Sequence, residues 1–431
     1  MTDKTMKEKT NKKPSKYQTI LSHLKEAIQD GRLESGQKLP SIRQLSQDFA
    51  ASKDTVVRAL LELKHQELVY AKPQSGYYVL AGKESQAYKV PLKNQQEQIF
   101  QDFQSCLHDS LDANQTYLYN PSSQQASLPQ LQEAVQDLLA DQAIYSPAKN
   151  ILFTSGTQQS LYLLAQISFP NQGQEILVEQ PTYHRMNRLL QEGNFPYQTI
   201  ERSPQGIDLQ ELEAIFSQGK TKFFYTIPRF HYPLGHSYSK EEKLAILALA
   251  HRYDVYLIED DYLADFDRNK QVSFHYLDKK DCVIYLKSFS TVLFPALRIT
   301  AIILPEAIRK PFLHYRHLMD YDSNLIMQKA LALYIQNKLY HRNLARLLEQ
   351  TRQQDERWAQ RLNDSQLPWP HQLIHNGLLL DLRHQKKISA LKHSTLPLDF
   401  FPEAYIEQAP DHYAKVHWED LEDFLDKTRK K

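Results

Sequence analysis

Glycine is scarce in this chain, with 11 in 431 residues against an average usage of about 7%. Few positions can take a left-handed backbone without strain, and a binding site built from several glycine turns has little material to draw on. Cysteine is scarcer still. Cys106 and Cys282 are the two in the sequence, far apart and without metal-ligand spacing. That speaks against a disulfide framework and against a zinc or other metal site, and makes a reducing cytoplasm the expected compartment. Long apolar runs are missing too. No stretch is long enough to span a bilayer. The N-terminus is Lys-rich and polar, with no apolar core of a signal peptide behind it.

What is present suits two or three domains with a large core. The net charge of +1 hides an asymmetry. Residues 1–81 carry 14 Lys and Arg against 9 Asp and Glu, while the remainder carries 38 against 42. A nucleic-acid partner for the first part and an ordinary solvated surface are both compatible with that split. Residues 1–15 read as a disordered basic tail. Tyr17, Ile20, Leu21, Leu24 and Ile28 then recur at helical spacing, with Asp30-Gly31 as the stop. Ser41 opens a second helix, with Gln44 placed for a capping box, and Ser52 opens a third that runs to about His65. Two strand-like runs, 68–72 and 76–80, flank Pro73-Gln74-Ser75. Three helices and a hairpin within about 65 residues predict a winged helix-turn-helix over 16–81.

Residues 82–98 are polar with mixed charge and read as a linker. From 99 to 431 strands and helices alternate. The strand-like runs are 151–154, 175–179, 222–227, 255–259, 282–287 and 298–304, with helical patterns such as 158–167 and 240–251 between them. The expectation is an α/β domain with a mostly parallel sheet and helices on both sides. The last hundred residues, with helices near 327–335, 340–362 and 418–428 and a strand at 377–382, suggest a small α+β subdomain.

Two motif-bearing regions sharpen this reading. The run from Gly31 through Gly36, Leu39, Pro40, Ser41 and Arg43 to Leu45 resembles the G-x-L-x-x-G-x-x-L-P-S-x-R-x-L signature of the GntR family of bacterial repressors. Ser52 to Leu60 resembles that family's recognition helix, with Lys53 in place of an Arg, and Gly76 stands at the wing-glycine position. The resemblance implies a double-stranded DNA operator as partner. It points to Ser41, Arg43, Ser52, Lys53, Thr55, Arg58 and Gly76 as the DNA-binding residues. Their chemistry agrees: helix N-termini and hydroxyls suit phosphate, and Arg suits phosphate or guanine edges.

Residues 100–431 are similar to the aminotransferase type I fold domain of the MocR subgroup of GntR regulators, which generally binds pyridoxal phosphate. Thr154 to Gln159 matches a T-x-G-x-Q-Q phosphate turn, and a strand feeding a helix through Gly156 is an anion site on physical grounds alone. By resemblance, Gly156, Thr157, Gln158, Ser288, Ser290 and Arg298 hold the phosphate. Tyr183, in Glu179-Gln180-Pro181-Thr182-Tyr183, stacks on the pyridine. Asp260, in Ile258-Glu259-Asp260-Asp261-Tyr262, pairs with the ring nitrogen, and Tyr262 bonds the ring oxygen.

The departures from that family are as specific. Tyr285 to Arg298 resembles the cofactor-lysine segment, yet Thr291 stands where the lysine belongs. A threonine cannot form an imine, which needs a primary amine. The T-P-S-H-Q-F-P-x-G loop has become Ile227 to Gly235, with Arg229 and Phe230 at its centre. A Y-G-D-P-x-G motif has become Tyr119-Asn120-Pro121-Ser122-Ser123, and no carboxylate-clamping Arg is evident near the C-terminus. Lys287 lies four residues before Thr291, about 13 Å of strand away. The leading expectation is a homodimeric transcriptional regulator without transaminase activity or catalytic residues. It senses a small effector such as pyridoxal phosphate, pyridoxamine phosphate or an amino acid, held non-covalently. An enzyme using Lys287 and a ligand-free dimerisation scaffold are the competing readings.

Overall fold

The computed structural model describes residues 16–30, 32–33, 37–65, 68–72, 76–79, 94–112, 116–119, 127–320, 322–365, 367–385, 388–407 and 409–429. The basic tail, Gly31 and Gly36 of the repressor signature, the wing turn 73–75, most of the linker and residues 120–123 lie outside them. The chain divides into two compact units at Lys93–Asn94.

In the first unit, helices α1 (Lys16–Gln29), α2 (Ile42–Asp48) and α3 (Lys53–His65) precede an antiparallel hairpin of β1 (Val69–Lys72) and β2 (Gly76–Val79). The apolar faces read from the sequence meet in one core: Ile20 and Leu24 from α1, Leu45 from α2, Val56, Leu60 and Leu63 from α3, Val69 and Val79 from the hairpin. Leu61, though an apolar residue of α3, is 49% exposed. Ser41 caps α2, its Oγ accepting the Gln44 N–H at 3.2 Å. The capping box is one-sided, because the Gln44 amide donates to Asp48 Oδ1 at 3.2 Å. Residues 37–39 extend the wing: Leu39 N–H donates to Tyr77 O and Val79 N–H to Gln37 O. Gly76 takes φ +117 at the start of β2.

The second unit opens with α4 (Asn94–Asp112), which takes in residues 94–98, placed in the linker by the sequence reading. Its centre is a seven-stranded sheet. The strands are β3 (Ile151–Thr154), β4 (Glu175–Gln180), β5 (Tyr197–Glu201), β6 (Thr221–Thr226), β7 (Tyr256–Asp260), β8 (Val283–Ser288) and β9 (Thr300–Ile303). Their order is β3-β9-β8-β7-β6-β4-β5. Pairings are parallel except those of β9, which runs antiparallel to both neighbours.

Helices cover both faces, which is why the inner strands are near-continuous apolar runs. On one face Leu152, Phe223, Ile258, Ile284, Leu286 and Ile302 pack against residues of helices Thr157–Gln166, His184–Glu192 and Glu306–Met319. The alternate residues Phe153, Tyr285 and Ala301, and Phe224, Leu257 and Val283, pack on the other face. A small subdomain follows: an antiparallel sheet of β10 (His371–Ile374), β11 (Gly377–Asp381) and β12 (Tyr413–His417), packed with the long helix Leu339–Asn363 and the helix Leu421–Arg429. No helix among the described residues is long and apolar enough to cross a membrane.

Candidate ligand pocket and DNA-binding face

The strand ends of the large unit converge on a cavity of about 290 Å³. All nine residues proposed from the sequence for a cofactor line it: Gly156, Thr157, Gln158, Tyr183, Asp260, Tyr262, Ser288, Ser290 and Arg298. Thr291 lines it as well, as do His184, Ile227, Tyr232 and Pro295, which the motif comparison did not single out.

One part of the lining offers donors. β3 ends at Thr154 and the next helix starts at Thr157, joined by Gly156 at φ +91. The first amides of that helix have no carbonyl a turn earlier to bond and are available to an anion. A Cβ on Gly156 would lie 2.6 Å from Arg298 Nη2 and 2.7 Å from Cζ, so the guanidinium sits against the turn where only glycine fits. Arg298 itself is held at φ 52, just past a short 3-10 turn.

The other part offers acceptors. Asp260, at the end of β7, is 5% exposed. Its Oδ2 accepts the Tyr225 hydroxyl at 2.8 Å, while its Oδ1 is buried without a partner. Burial pushes its pKa up to about 7; the Tyr225 bond opposes this and the Asp261 charge adds to it. The Tyr262 hydroxyl donates to Phe230 O at 3.2 Å, so its proton goes to backbone within the chain and not into the cavity. Thr291 Oγ1 likewise donates to Tyr262 O at 3.1 Å.

Strand alternation decides what faces the cavity. Asp260 and Ser288 share the face of Ile258 and Leu286. Their neighbours Asp261 and Lys287 point the other way and are neutralised there. Arg229 Nε donates to Asp261 Oδ1 at 2.8 Å, and its Nη2 closes the pair on Oδ2. That holds the Asp261 carboxyl below its usual range despite burial. Lys287 is fully buried and pairs with Asp265, which also accepts the Tyr340 hydroxyl at 2.9 Å. The suggestion that Lys287 could replace the missing lysine meets this geometry: the ammonium is turned away from the cavity and committed to a carboxylate.

Below the cavity, buried Glu179 accepts from Thr226 Oγ1 at 2.9 Å and from Ile227 N–H at 3.3 Å, and lies 3.3 Å from His231. The rewritten loop thus brings Arg229 to Asp261 as a counter-charge, while His231, held toward its neutral form chiefly by burial, lies beside Glu179. Away from the cavity, His251, Asp278 and Cys282 cluster, but Asp278 is occupied by His251 and by the N–H groups of Lys280, Cys282 and Val283.

In the first unit Arg43, Ser52 and Lys53 are exposed. Ser52 Oγ caps α3 through the Thr55 N–H at 3.2 Å and shares a hydrogen bond with the Thr55 hydroxyl at 2.8 Å. Ser41 and Ser52 are therefore helix caps first, which fixes the N-termini that would meet phosphate. The Arg58 guanidinium lies 5.6 Å from the centre of the Tyr17 ring, an orienting contact the sequence motif does not mention.

Comparison with known proteins agrees with this architecture. Residues 16–79 match the bacterial regulatory proteins of the gntR family, and residues 93–393 match the class I and II aminotransferases. YcxD of Bacillus subtilis, an uncharacterized HTH-type transcriptional regulator, is 35% identical over 94% of this chain and 97% of its own length. The chain is a GntR-family transcriptional regulator of the MocR type. The regulator is also 25% identical to the HTH-type transcriptional regulator NorG of Staphylococcus aureus, over 72% of this chain and 78% of that one. The kynurenine aminotransferase of Pyrococcus horikoshii, solved with PMP, matches with a TM-score of 0.62 at 21% identity. That match covers 76% of the regulator and 87% of the enzyme, and it establishes the fold of the large unit as that of aminotransferases.

Proposed function

We propose that the regulator holds a phosphate-bearing pyridine of the vitamin B6 class in this cavity without a covalent bond. The bound state is transmitted as a signal to the DNA-binding unit, and no transamination occurs. The residues fit such a group. The Gly156 turn, Ser288, Ser290 and Arg298 suit the phosphate, Tyr183 the ring, and the unpartnered Asp260 oxygen a protonated ring nitrogen. When bound, such a group supplies an electron-withdrawing ring; among the described residues, none lining the cavity carries a primary amine to exploit it covalently. The observation that carries the reading is the pairing of Thr291 in the lining with Lys287 buried against Asp265 on the opposite face. A homodimer on a DNA operator completes the proposal, by analogy with relatives of this architecture.

The test is an absorbance titration of the purified protein with pyridoxal phosphate, followed by borohydride and peptide mapping. The expected outcome is ligand-dependent thermal stabilisation with no cofactor fixed to a lysine of the cavity. Fixation to Lys287 would overturn the proposal. Stabilisation by none of the vitamers would leave a scaffold without a ligand.

A further inference from the structure

A second cavity, of about 380 Å³, opens where the rewritten loop, the turn 266–271, the long helix Leu339–Asn363 and β10 meet. Among the described residues, none lines both this cavity and the first. Part of its wall is aromatic. The His375 ring lies 5.0 Å from Phe266 and 6.4 Å from Phe230, centre to centre, and Leu373 and Ile374 adjoin it in the lining. His375 makes no hydrogen bond to a described residue. Burial, with Lys415 adding to it, pushes its pKa down to about 4, so the ring is a neutral, planar surface.

The charges in the lining are loosely engaged. Arg268 Nη2 donates to Leu348 O at 3.2 Å and stands 3.6 Å from Asp355 Oδ2, too far for a hydrogen bond. Asp355 accepts no hydrogen bond from a described residue, and both side chains are about two-fifths exposed, 41% and 40%. The other carboxylate, Asp267, is already taken by Arg229 and by the N–H groups of Asn269 and Gln271. One cavity thus holds a guanidinium with hydrogens to spare, a carboxylate with lone pairs to spare, and an aromatic wall.

We infer that this cavity is a second ligand site, for a free α-amino acid with an aromatic side chain, its carboxylate on Arg268, its ammonium on Asp355 and its ring against Phe230, Phe266 and His375. A zwitterion finds the opposite of each of its charges here. A phosphate or other anion would meet two aspartates, and a simple amine would meet Arg268. An aromatic ring suits neighbours that are themselves planar, in offset or edge contacts. The inference goes beyond the vitamer proposal and draws on other residues.

Isothermal titration of the full chain with L-phenylalanine, in the absence of any vitamer, tests this. Binding is expected, with phenethylamine and 3-phenylpropionate, which each lack one charge, at least about tenfold weaker, the worth of one hydrogen bond to a charged group. Arg268→Gln and Asp355→Asn, at partly exposed positions where the fold tolerates exchange, are each expected to weaken L-phenylalanine about tenfold. Asp260→Asn, in the first cavity, is expected to leave that affinity unchanged. No binding of L-phenylalanine, equal binding of either singly charged analogue, or an affinity unmoved by both Arg268→Gln and Asp355→Asn would overturn the inference. So would loss of binding in Asp260→Asn, which would place the amino acid in the first cavity. Failure of L-phenylalanine to bind leaves the vitamer proposal standing, because no vitamer takes part.

Discussion

Asp260 is the residue whose replacement tests the cavity most directly. In the ligand-free protein its carboxyl is buried, with one oxygen unpartnered. Its pKa is displaced from 3.8 to about 7, by burial first and by Asp261 in addition, against the Tyr225 bond. At about 1.4 kcal/mol per pH unit, that displacement corresponds to a folding cost of about 4 kcal/mol once the group is ionised. The sign follows from proton binding. Between about pH 4 and 7 the folded protein holds a proton that the unfolded chain has released, so stability from this group falls as pH rises through that window. Below it the cost vanishes, and above it the cost is constant.

Asp260→Asn keeps an acceptor for Tyr225 and removes the ionisation. Urea unfolding of both proteins without ligand should show the Asn variant more stable by up to about 4 kcal/mol at pH 8.5, and by less than half of that at pH 5. With saturating pyridoxamine phosphate the order should narrow or reverse, because a ligand N–H⁺ compensates the carboxylate in the native protein only. A variant no more stable than the parent at pH 8.5, or an advantage independent of pH, would refute the reasoning and with it the picture of a carboxylate waiting for a cation.

Three further outcomes are expected. Lys287→Met leaves Asp265 buried without its counter-charge and should cost about 3–5 kcal/mol in urea unfolding, while changing vitamer affinity less than about twofold. A large affinity loss would bring Lys287 back into the site. Gly156→Ala forces a side chain into left-handed backbone and against Arg298; titration should show at least about tenfold weaker binding of phosphate-bearing ligands, corresponding to loss of a charge-assisted contact. Arg58→Ala and Arg43→Ala should each weaken operator binding and lower the salt slope of log K by about one, measured by shift assays across salt.

Much of this architecture was legible because its signals are local. The helices of the first unit announce themselves through apolar spacing and the Ser41 and Ser52 caps, and the β3–β4–β6–β7–β8 series through buried apolar runs. β5 escaped because an edge strand with one buried apolar residue, Ile200, carries no such run. β10 and β12 escaped because His371–Ile374 and Tyr413–His417 mix polar and apolar residues over four or five positions. In the cavity, contiguous motifs gave the lining. The partners that decide its chemistry are remote. Arg229 meets Asp261 across 32 residues and Lys287 meets Asp265 across 22. The acceptor for Tyr262 is a backbone carbonyl at Phe230, a residue at φ 49 that no side-chain pattern reveals. The direction of Lys287 was in principle readable, since strand parity alone sets it opposite to Ser288.

That parity has an evolutionary consequence. Neighbouring residues at the ends of β7 and β8 have unrelated surroundings: Asp260 and Ser288 line the cavity, while Asp261, just past β7, and Lys287 pair with Arg229 and Asp265 inside the protein. A substitution on the cavity side leaves these buried pairs untouched, because the side chains point to opposite faces of the sheet. The cavity lining, Thr291 included, can thus change its chemistry residue by residue on an unchanged frame.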